Sequence, residues 1–373
     1  MLIGVPKEIK NNEYRVGLTP SSVREAATHG HRVVVETHAG EGIRATDDEY
    51  RAAGAEIAAN ADEVFARADM IVKVKEPQAV ERKKLRQGQI LFTYLHLAPD
   101  PEQAKDLVAS GAVAIAYETV TSPSGGLPLL APMSEVAGRM SVQIGARFLE
   151  RPQGGRGVLL AGVPGVAPGK VVILGAGVVG ANAAYVAAGM GAEVVLMDRS
   201  PEALRRAVAQ FGPRVKTVYA ARELIEEHVS SAHVVVGAAL VPGALAPKLV
   251  TRAMLPKMKR GAVLVDVSID QGGAFETSRV TTHSDPVFEI DGIVHYGVAN
   301  MPGAVPRTSA FALNNATIPY VLEIADRGWK AALEANEDLR NGLNVAAGRV
   351  THPRVAEALR LAYTPPLEAI AAA

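Results

Sequence analysis

Residues 170–200, KVVILGAGVVGANAAYVAAGMGAEVVLMDRS, carry the clearest indication of how this chain folds. A β-rich apolar run leads into a Gly-x-Gly-x-x-Gly pattern made by Gly175, Gly177 and Gly180. These glycines suit, in turn, a tight turn, the close approach of a pyrophosphate, and close packing of a helix on a strand. A helical segment and a second apolar run follow, and that run ends at Asp198, about 20 residues beyond the middle glycine. This order of features predicts a dinucleotide-binding βαβ unit.

The residues around this motif also indicate which nucleotide it binds. Backbone N–H groups at the start of the helix provide an anion site for the pyrophosphate. A carboxylate at Asp198 would hold a ribose 2′-hydroxyl and repel a 2′-phosphate, which favours NAD over NADP. The neighbouring Arg199 works against this preference, because a guanidinium could accommodate a phosphate. The alternatives are a fold of this type that has lost its ligand, or one that binds a different nucleotide.

Composition excludes several classes of function. Lys+Arg and Asp+Glu both total 39 in the 373 residues, so no net charge points to nucleic acid or to a membrane surface. The chain has no cysteine, which excludes disulfides, thiol catalysis and cysteine-ligated metals, and is typical of a cytoplasmic protein. No uninterrupted apolar stretch is long enough for a membrane span, and the N-terminus lacks a signal-peptide pattern. The nine histidines show no metal-binding spacing, so we expect no metal site.

Short apolar runs alternate with helical patterns, as in βαβ units and parallel sheets. The sequence therefore predicts an α/β protein with two doubly wound, Rossmann-like lobes of about five strands each and an active-site cleft between them. Helical residues after 305 are expected to return to the first lobe. The predicted domains are 1–130 plus 306–373 for the substrate and 131–305 for NAD. The predicted strands are 2–5, 32–36, 69–74, 89–95, 112–118, 170–174, 193–198, 233–238, 262–267 and 293–298.

Polar residues interrupt the predicted strands near their carboxyl ends. In QILFTYLHLA, residues 89–98, Tyr94 and His96 are two residues apart and so share a face of the strand. Taken alone, His96 could be a structural histidine bonded to a backbone carbonyl. Ligands of parallel sheets bind at these strand ends, so the whole set predicts an active site. The other members of the set are Lys75, Glu118, Asp266, Asp270 and Asn300.

The chain resembles the alanine dehydrogenase family over about residues 1–345. That resemblance implies reversible, NAD-dependent oxidative deamination of L-alanine to pyruvate and ammonium by a cytoplasmic homohexamer. The motifs that carry it are GVPKEIKNNEYRVGLTP (4–20), ADMIVKVKEP (68–77), ILFTYLHLAPD (90–100), LLAPMSEVAGRMS (129–141), GVLLAGVPGVAPGKVVILGAGVVG (157–180), LVDVSIDQGG (264–273) and HYGVANMPGAVPRTS (295–309).

The resemblance also implies roles for individual residues. Arg15 and Lys75 would bind the substrate carboxylate, and His96 and Asp270 would form the catalytic pair. The remaining substrate contacts would come from Tyr94 and Asn300. Ala203 and Ala220 differ from the basic residue and the serine that the family places near the adenosine. The implied cofactor-binding residues are Ser134, Gly175, Gly177, Val178, Val179, Gly180, Asp198, Ala239, Leu240, Val267, Asp270, Arg279, Val298 and Met301.

Two other functions are consistent with parts of this pattern. The NAD(H)-binding portion of a proton-translocating transhydrogenase is similar in sequence, although the histidine of YLHLA is not expected there. A non-catalytic NAD-binding protein would keep the glycine motif and bind the cofactor without turnover. An assay of alanine oxidation separates both alternatives from a dehydrogenase.

Overall fold

The computed structural model describes residues 1–239 and 245–373. Its strands are β1 (Leu2–Val5), β2 (Arg32–Glu36), β3 (Ala55–Ala58), β4 (Met70–Val72), β5 (Ile90–Thr93), β6 (Val113–Ala116), β7 (Lys170–Leu174), β8 (Glu193–Asp198), β9 (Lys216–Tyr219), β10 (Val234–Gly237), β11 (Val263–Asp266), β12 (Val287–Ile290), β13 (Ile293–Tyr296), β14 (Leu343–Ala346) and β15 (Arg349–Val350).

The helices cover the sheets and include one long segment near each domain boundary. In the part of the chain that the structure describes, no helix is long and apolar enough to cross a bilayer. The helices are α1 (Pro20–Thr28), α2 (Asp47–Ala52), α3 (Ala61–Arg67), α4 (Ala79–Arg82), α5 (Pro101–Ser110), α6 (Ala131–Phe148), α7 (Val178–Gly189), α8 (Pro201–Phe211), α9 (Arg222–Ser231), α10 (Pro306–Arg327), α11 (Trp329–Ala335), α12 (Glu337–Arg340), α13 (Pro353–Leu359) and α14 (Pro366–Ala372).

The chain forms two compact units. Unit 1 comprises Met1–Met133 and Val305–Ala373, and unit 2 comprises Ser134–Ala304. The assignment of substrate to the first and NAD to the second stays a prediction.

Each unit contains one sheet built on the same strand order. In unit 1 the parallel strands run β3-β2-β1-β4-β5-β6, and antiparallel β14 and β15 extend the β6 edge. In unit 2 the parallel strands run β9-β8-β7-β10-β11-β13, and antiparallel β12 lies at the β13 edge. Both sheets thus have the 3-2-1-4-5-6 order of the Rossmann fold. The prediction of two doubly wound, Rossmann-like α/β lobes is confirmed.

The predicted count of five strands in each lobe was wrong, because the sheets have eight and seven strands. Four of the missed strands, β3, β9, β12 and β15, lie at sheet edges. The fifth, β14, lies between β6 and the two-residue strand β15. Neither β9 nor β12 has a fully buried residue, whereas every residue of β5, β10 and β11 is buried. An edge strand needs no continuous apolar run, so the sequence carries no such signal for it.

The same topology produces two different loops at the point where the strand order reverses. In unit 2 the β7–α7 connection is the short turn 175–177, whereas in unit 1 the β1–α1 connection spans residues 6–19. A Cβ atom on Gly17 would lie 2.2 Å from the carbonyl oxygen of Val72, so the longer loop passes tightly across the end of β4. The loop brings its charged residues to the carboxyl ends of the strands of unit 1.

Candidate active site

His96 lies just beyond the end of β5. Its backbone is left-handed, with φ of 50°, and its side chain is 46% exposed. The Glu118 carboxylate accepts the backbone N–H of His96 at 2.6 Å and that of Leu95 at 3.2 Å. Because Glu118 takes these N–H groups, β5 ends at Thr93 and not at the predicted residue 95. The imidazole therefore lies beyond the carboxyl end of β5 and is partly exposed to solvent, with Nδ1 3.9 Å from Glu118 Oε1.

Tyr94 supports the imidazole from one side. The Tyr94 ring is parallel to the His96 ring, with an interplanar angle of 8° and a centroid separation of 5.8 Å. Only 3% of Tyr94 is exposed, and its hydroxyl donates to the carbonyl oxygen of Leu129 at 2.5 Å. Burial raises the pKa of the Tyr94 hydroxyl, which keeps it protonated. The Tyr94 ring thus stacks against the His96 ring, and the Tyr94 hydroxyl is already hydrogen-bonded to Leu129.

Arg15 forms a buried ion pair within the loop 6–19. Its Nε and Nη2 donate to the two carboxylate oxygens of Glu13 at 2.6 and 2.5 Å, and Nη1 contacts Met133 Sδ at 3.0 Å. Burial alone would lower the pKa of Arg15, but Glu13 reverses this effect and raises it. A substrate carboxylate would therefore meet a guanidinium whose Nε edge already holds Glu13.

Lys75 differs from the other cations of this region. Burial lowers the pKa of Lys75, and the charges of Arg15 and Lys10 act in the same direction. The neighbouring cations have carboxylate partners, whereas no hydrogen bond or ion pair to Lys75 Nζ is found within residues 1–239 and 245–373. An anion bound here would stabilise the ammonium. The neighbouring pairs are Lys10–Glu76, Arg15–Glu13, Lys73–Glu8 and Lys73–Glu81.

In unit 2 the glycine motif forms the predicted strand–turn–helix. Gly175 has φ of 115°, and a Cβ there would lie 2.6 Å from the carbonyl oxygen of Ala238. A Cβ on Gly180 would lie 1.7 Å from the carbonyl oxygen of Gly175, so the helix packs tightly on the turn. Gly177 begins α7 without a side-chain cap and faces open space. Uncapped N–H groups beside open space fit a nucleotide pyrophosphate.

Asp198, at the end of β8, holds the glycine turn. Its Oδ2 accepts the backbone N–H of Ala176 at 2.6 Å, and its Oδ1 accepts that of Ser200 at 2.7 Å. Each carboxylate oxygen has a second lone pair, so the residue can still accept a ribose hydroxyl. The sequence predicts that Asp198 contacts the ribose. It does not predict the hydrogen bond from Asp198 to the glycine turn.

Asp266 and Asp270 have different surroundings, although Asp266 is the last residue of β11 and Asp270 follows four residues later. Asp266 is 1% exposed and accepts the backbone N–H groups of Ser268 and Ala274, each at 3.1 Å. It also accepts a hydrogen bond from the Ser278 hydroxyl at 2.5 Å. Together these bonds hold the loop that follows β11 from its buried side. Burial raises the pKa of this carboxyl. Asp270 is exposed on the 3₁₀ turn of that loop.

The other residues implied by the family lie on several segments of unit 2. Asn300 has φ of 60°, and its carbonyl oxygen lies 3.3 Å from His283 Nε2. The Arg279 guanidinium lies 4.3 Å from the centre of the Phe288 ring. Ser134 is in the first turn of α6, Val178 and Val179 begin α7, Val267 and Ala239 are partly buried, and Val298 and Met301 are buried. Leu240 lies outside the described residues.

Among the described residues, no group of three or more histidine, aspartate or glutamate side chains could hold a metal ion.

Comparisons with known proteins agree with this architecture. Residues 4–137 and 141–353 match the profiles described as alanine dehydrogenase/PNT, N-terminal domain and C-terminal domain. Alanine dehydrogenase from Halomonas elongata is 56% identical over 363 residues, which cover 97% of this chain and 98% of that protein.

Two solved structures share the fold along almost the whole chain. An L-alanine dehydrogenase superposes with a TM-score of 0.94 at 53% identity, covering 96% of this chain and 99% of that one. A transhydrogenase from Sinorhizobium meliloti gives a TM-score of 0.81 at 28% identity, covering 95% and 99%. The chain is an enzyme of the dehydrogenase class that uses a nicotinamide cofactor. It belongs to the alanine dehydrogenase/PNT family, which confirms the resemblance found in the sequence.

Proposed function

We propose that this enzyme catalyses the reversible, NAD-dependent oxidative deamination of L-alanine to pyruvate and ammonium. The observation that carries the proposal is the Lys75 ammonium, which is partly buried at the strand ends of unit 1 with no partner among the described residues. Such a group suits the carboxylate of a small acid. The relative from Halomonas elongata, an alanine dehydrogenase, supports alanine as that acid. The cytoplasmic location and the homohexamer stay predictions from the family resemblance.

Unit 2 would hold the cofactor. The turn at Gly175 and Gly177 and the uncapped start of α7 would bind the pyrophosphate, and Asp198 would accept a hydrogen bond from the ribose 2′-hydroxyl. NAD supplies the hydride acceptor when it is bound. We assign the further cofactor contacts to the other residues that the family implies, including Val298 and Met301.

Unit 1 would hold and activate the substrate. Lys75 and Arg15 bind its carboxylate and orient the Cα–H bond for hydride transfer. As the hydride leaves Cα, the amine becomes an iminium, and water adds to it. The resulting carbinolamine collapses to pyruvate and ammonia as its C–N bond breaks. His96 removes a proton from that water, and in the reverse direction it protonates the carbonyl oxygen of pyruvate. Asp270 stabilises the positive iminium, and Asn300 completes the substrate contacts.

The direct test is an assay of the full-length enzyme with L-alanine and NAD, followed by the appearance of NADH absorbance. We expect NADH to form with L-alanine, and to disappear when pyruvate and ammonium are supplied together. Omitting ammonium should abolish the reverse reaction, which distinguishes reductive amination from reduction of the keto acid. Nucleotide binding without turnover in either direction would instead support a non-catalytic or transhydrogenase-type role.

Asp198 is expected to make the enzyme prefer NAD to NADP by about 100-fold, since its carboxylate repels a 2′-phosphate by a few kcal/mol. Replacing Asp198 by alanine should narrow this difference, mainly through lost NAD affinity. Asp198→Asn is the matched control, because its side chain still accepts a backbone N–H while the charge is gone. The measurement is kcat/KM for both cofactors. Equal values in the unmodified enzyme would contradict the assignment.

A further inference from the structure

Three charged side chains that the proposed reaction does not use are buried together in unit 1. Lys73 Nζ lies 3.0 Å from Glu8 Oε2 and 2.8 Å from Glu81 Oε1. The exposed fraction is 0% for the Lys73 side chain and 2% for each carboxylate. Burial would lower the pKa of Lys73, but the two carboxylates reverse this and raise it. The lysine is therefore held as a cation between two acids.

The two acids differ in what their other oxygen contacts. Glu8 Oε1 accepts the backbone N–H of Val74 at 2.6 Å and that of Lys75 at 3.3 Å. Glu81 Oε2 accepts the backbone N–H of Gln78 at 2.7 Å and so caps α4. One carboxylate therefore holds the segment that carries the candidate substrate ligand, and the other holds a helix end.

The strand geometry explains why this segment needs a side-chain partner. Strand β4 ends at Val72, and beyond it the chain is still bonded to the β5 side, where Thr93 Oγ1 donates to the carbonyl oxygen of Lys75 at 3.0 Å. On the opposite side β1 ends at Val5, so no strand within the described residues accepts the N–H groups of residues 74 and 75. The Glu8 side chain, from the loop that follows β1, supplies that acceptor.

We propose that Glu8 is a positioning residue for substrate binding. Its carboxylate, fixed by Lys73, holds the backbone of Lys75 and thereby places the ammonium that receives the substrate carboxylate. This inference rests on the proposed role of Lys75. A displaced Lys75 ammonium weakens binding of the substrate carboxylate more than it slows hydride transfer. We therefore expect KM for pyruvate to change more than kcat.

Glu8→Gln and Glu81→Gln form a matched pair for the test. Each variant removes one negative charge from beside Lys73. The single carbonyl oxygen of the new amide then faces three donors at residue 8 and two at residue 81. We expect Glu8→Gln to raise KM for pyruvate by about 10-fold, as for the loss of a charge-assisted contact, with NADH affinity unchanged. Glu81→Gln should destabilise the fold to a similar extent and leave KM for pyruvate within about 2-fold. Glu8→Asp, which keeps the charge and shortens the reach, serves if Glu8→Gln does not fold.

Lys75→Ala separates failure of this inference from failure of the proposed function. It should raise KM for pyruvate more than any Glu8 variant does. If Lys75→Ala raises KM but the Glu8 and Glu81 variants behave alike, Glu8 has only a structural role and the inference is overturned. If Lys75→Ala leaves KM unchanged, the substrate carboxylate binds elsewhere, and both the substrate assignment and the inference are wrong.

Discussion

Replacing His96 by alanine is expected to lower kcat by about 10²–10⁴-fold in both directions, the usual contribution of a general acid or base. Nucleotide affinity and thermal stability should change little, because the imidazole is 46% exposed and Glu118 bonds the His96 backbone, which the variant keeps. Steady-state kinetics with alanine and with pyruvate, together with a melting curve, measure both effects. A variant that melts early but turns over normally would make His96 a structural residue.

His38 provides a matched control in the same sheet. It follows β2, is exposed, has a left-handed backbone with φ of 62°, and donates its backbone N–H to Asp47 Oδ1 at 3.0 Å. It therefore resembles His96 in residue type, backbone conformation and carboxylate partner, but no role in the reaction is assigned to it. His38→Ala should keep kcat within about 2-fold of the unmodified enzyme. A comparable loss in both variants would trace the effect to the backbone.

Arg15→Ala is expected to destabilise the enzyme by about 3–5 kcal/mol, because it removes a buried ion pair with the Glu13 carboxylate. The side chains of Arg15 and Glu13 are 2% and 0% exposed, so water cannot replace the lost contact. Since Arg15 is also a proposed carboxylate ligand, KM for pyruvate should rise in the protein that still folds. Denaturant unfolding and kinetics at low temperature measure the two effects separately.

An exposed ion pair of the same unit is the control for this variant. Arg51 Nη1 lies 2.6 Å from Asp48 Oδ1, and the two side chains are 56% and 89% exposed. Arg51→Ala should leave the unfolding midpoint nearly unchanged, because exposed pairs contribute little. The double variant Arg15→Ala/Glu13→Ala should recover part of the loss, since it also removes the buried Glu13 carboxylate. Equal stability of the Arg15 and Arg51 variants would show that the buried pair does not stabilise the fold.

The features of this fold that could be predicted from the sequence are those with local determinants. The glycines of 175–180 need particular backbone geometry within six residues, and the central strands need continuous apolar runs, so both leave a clear pattern. The edge strands β9 and β12 left no such pattern, because their residues are partly exposed. The end of β5 was misplaced for a different reason. The residue that ends its pairing, Glu118, is 22 residues from His96 along the chain.

The two α/β lobes, the nucleotide turn and the family could all be predicted from the sequence, because each depends on short runs of residue types. The different roles of the polar residues, in contrast, depend on hydrogen bonds that form only in the folded protein. Asp266 and Asp270 look alike in the sequence. In the folded protein Asp266 is buried and accepts backbone N–H groups of the loop after β11, whereas Asp270 is exposed. Glu8 reaches Lys75 across 67 residues. Such hydrogen bonds join residues that only the folded sheet brings together, so no local pattern encodes them.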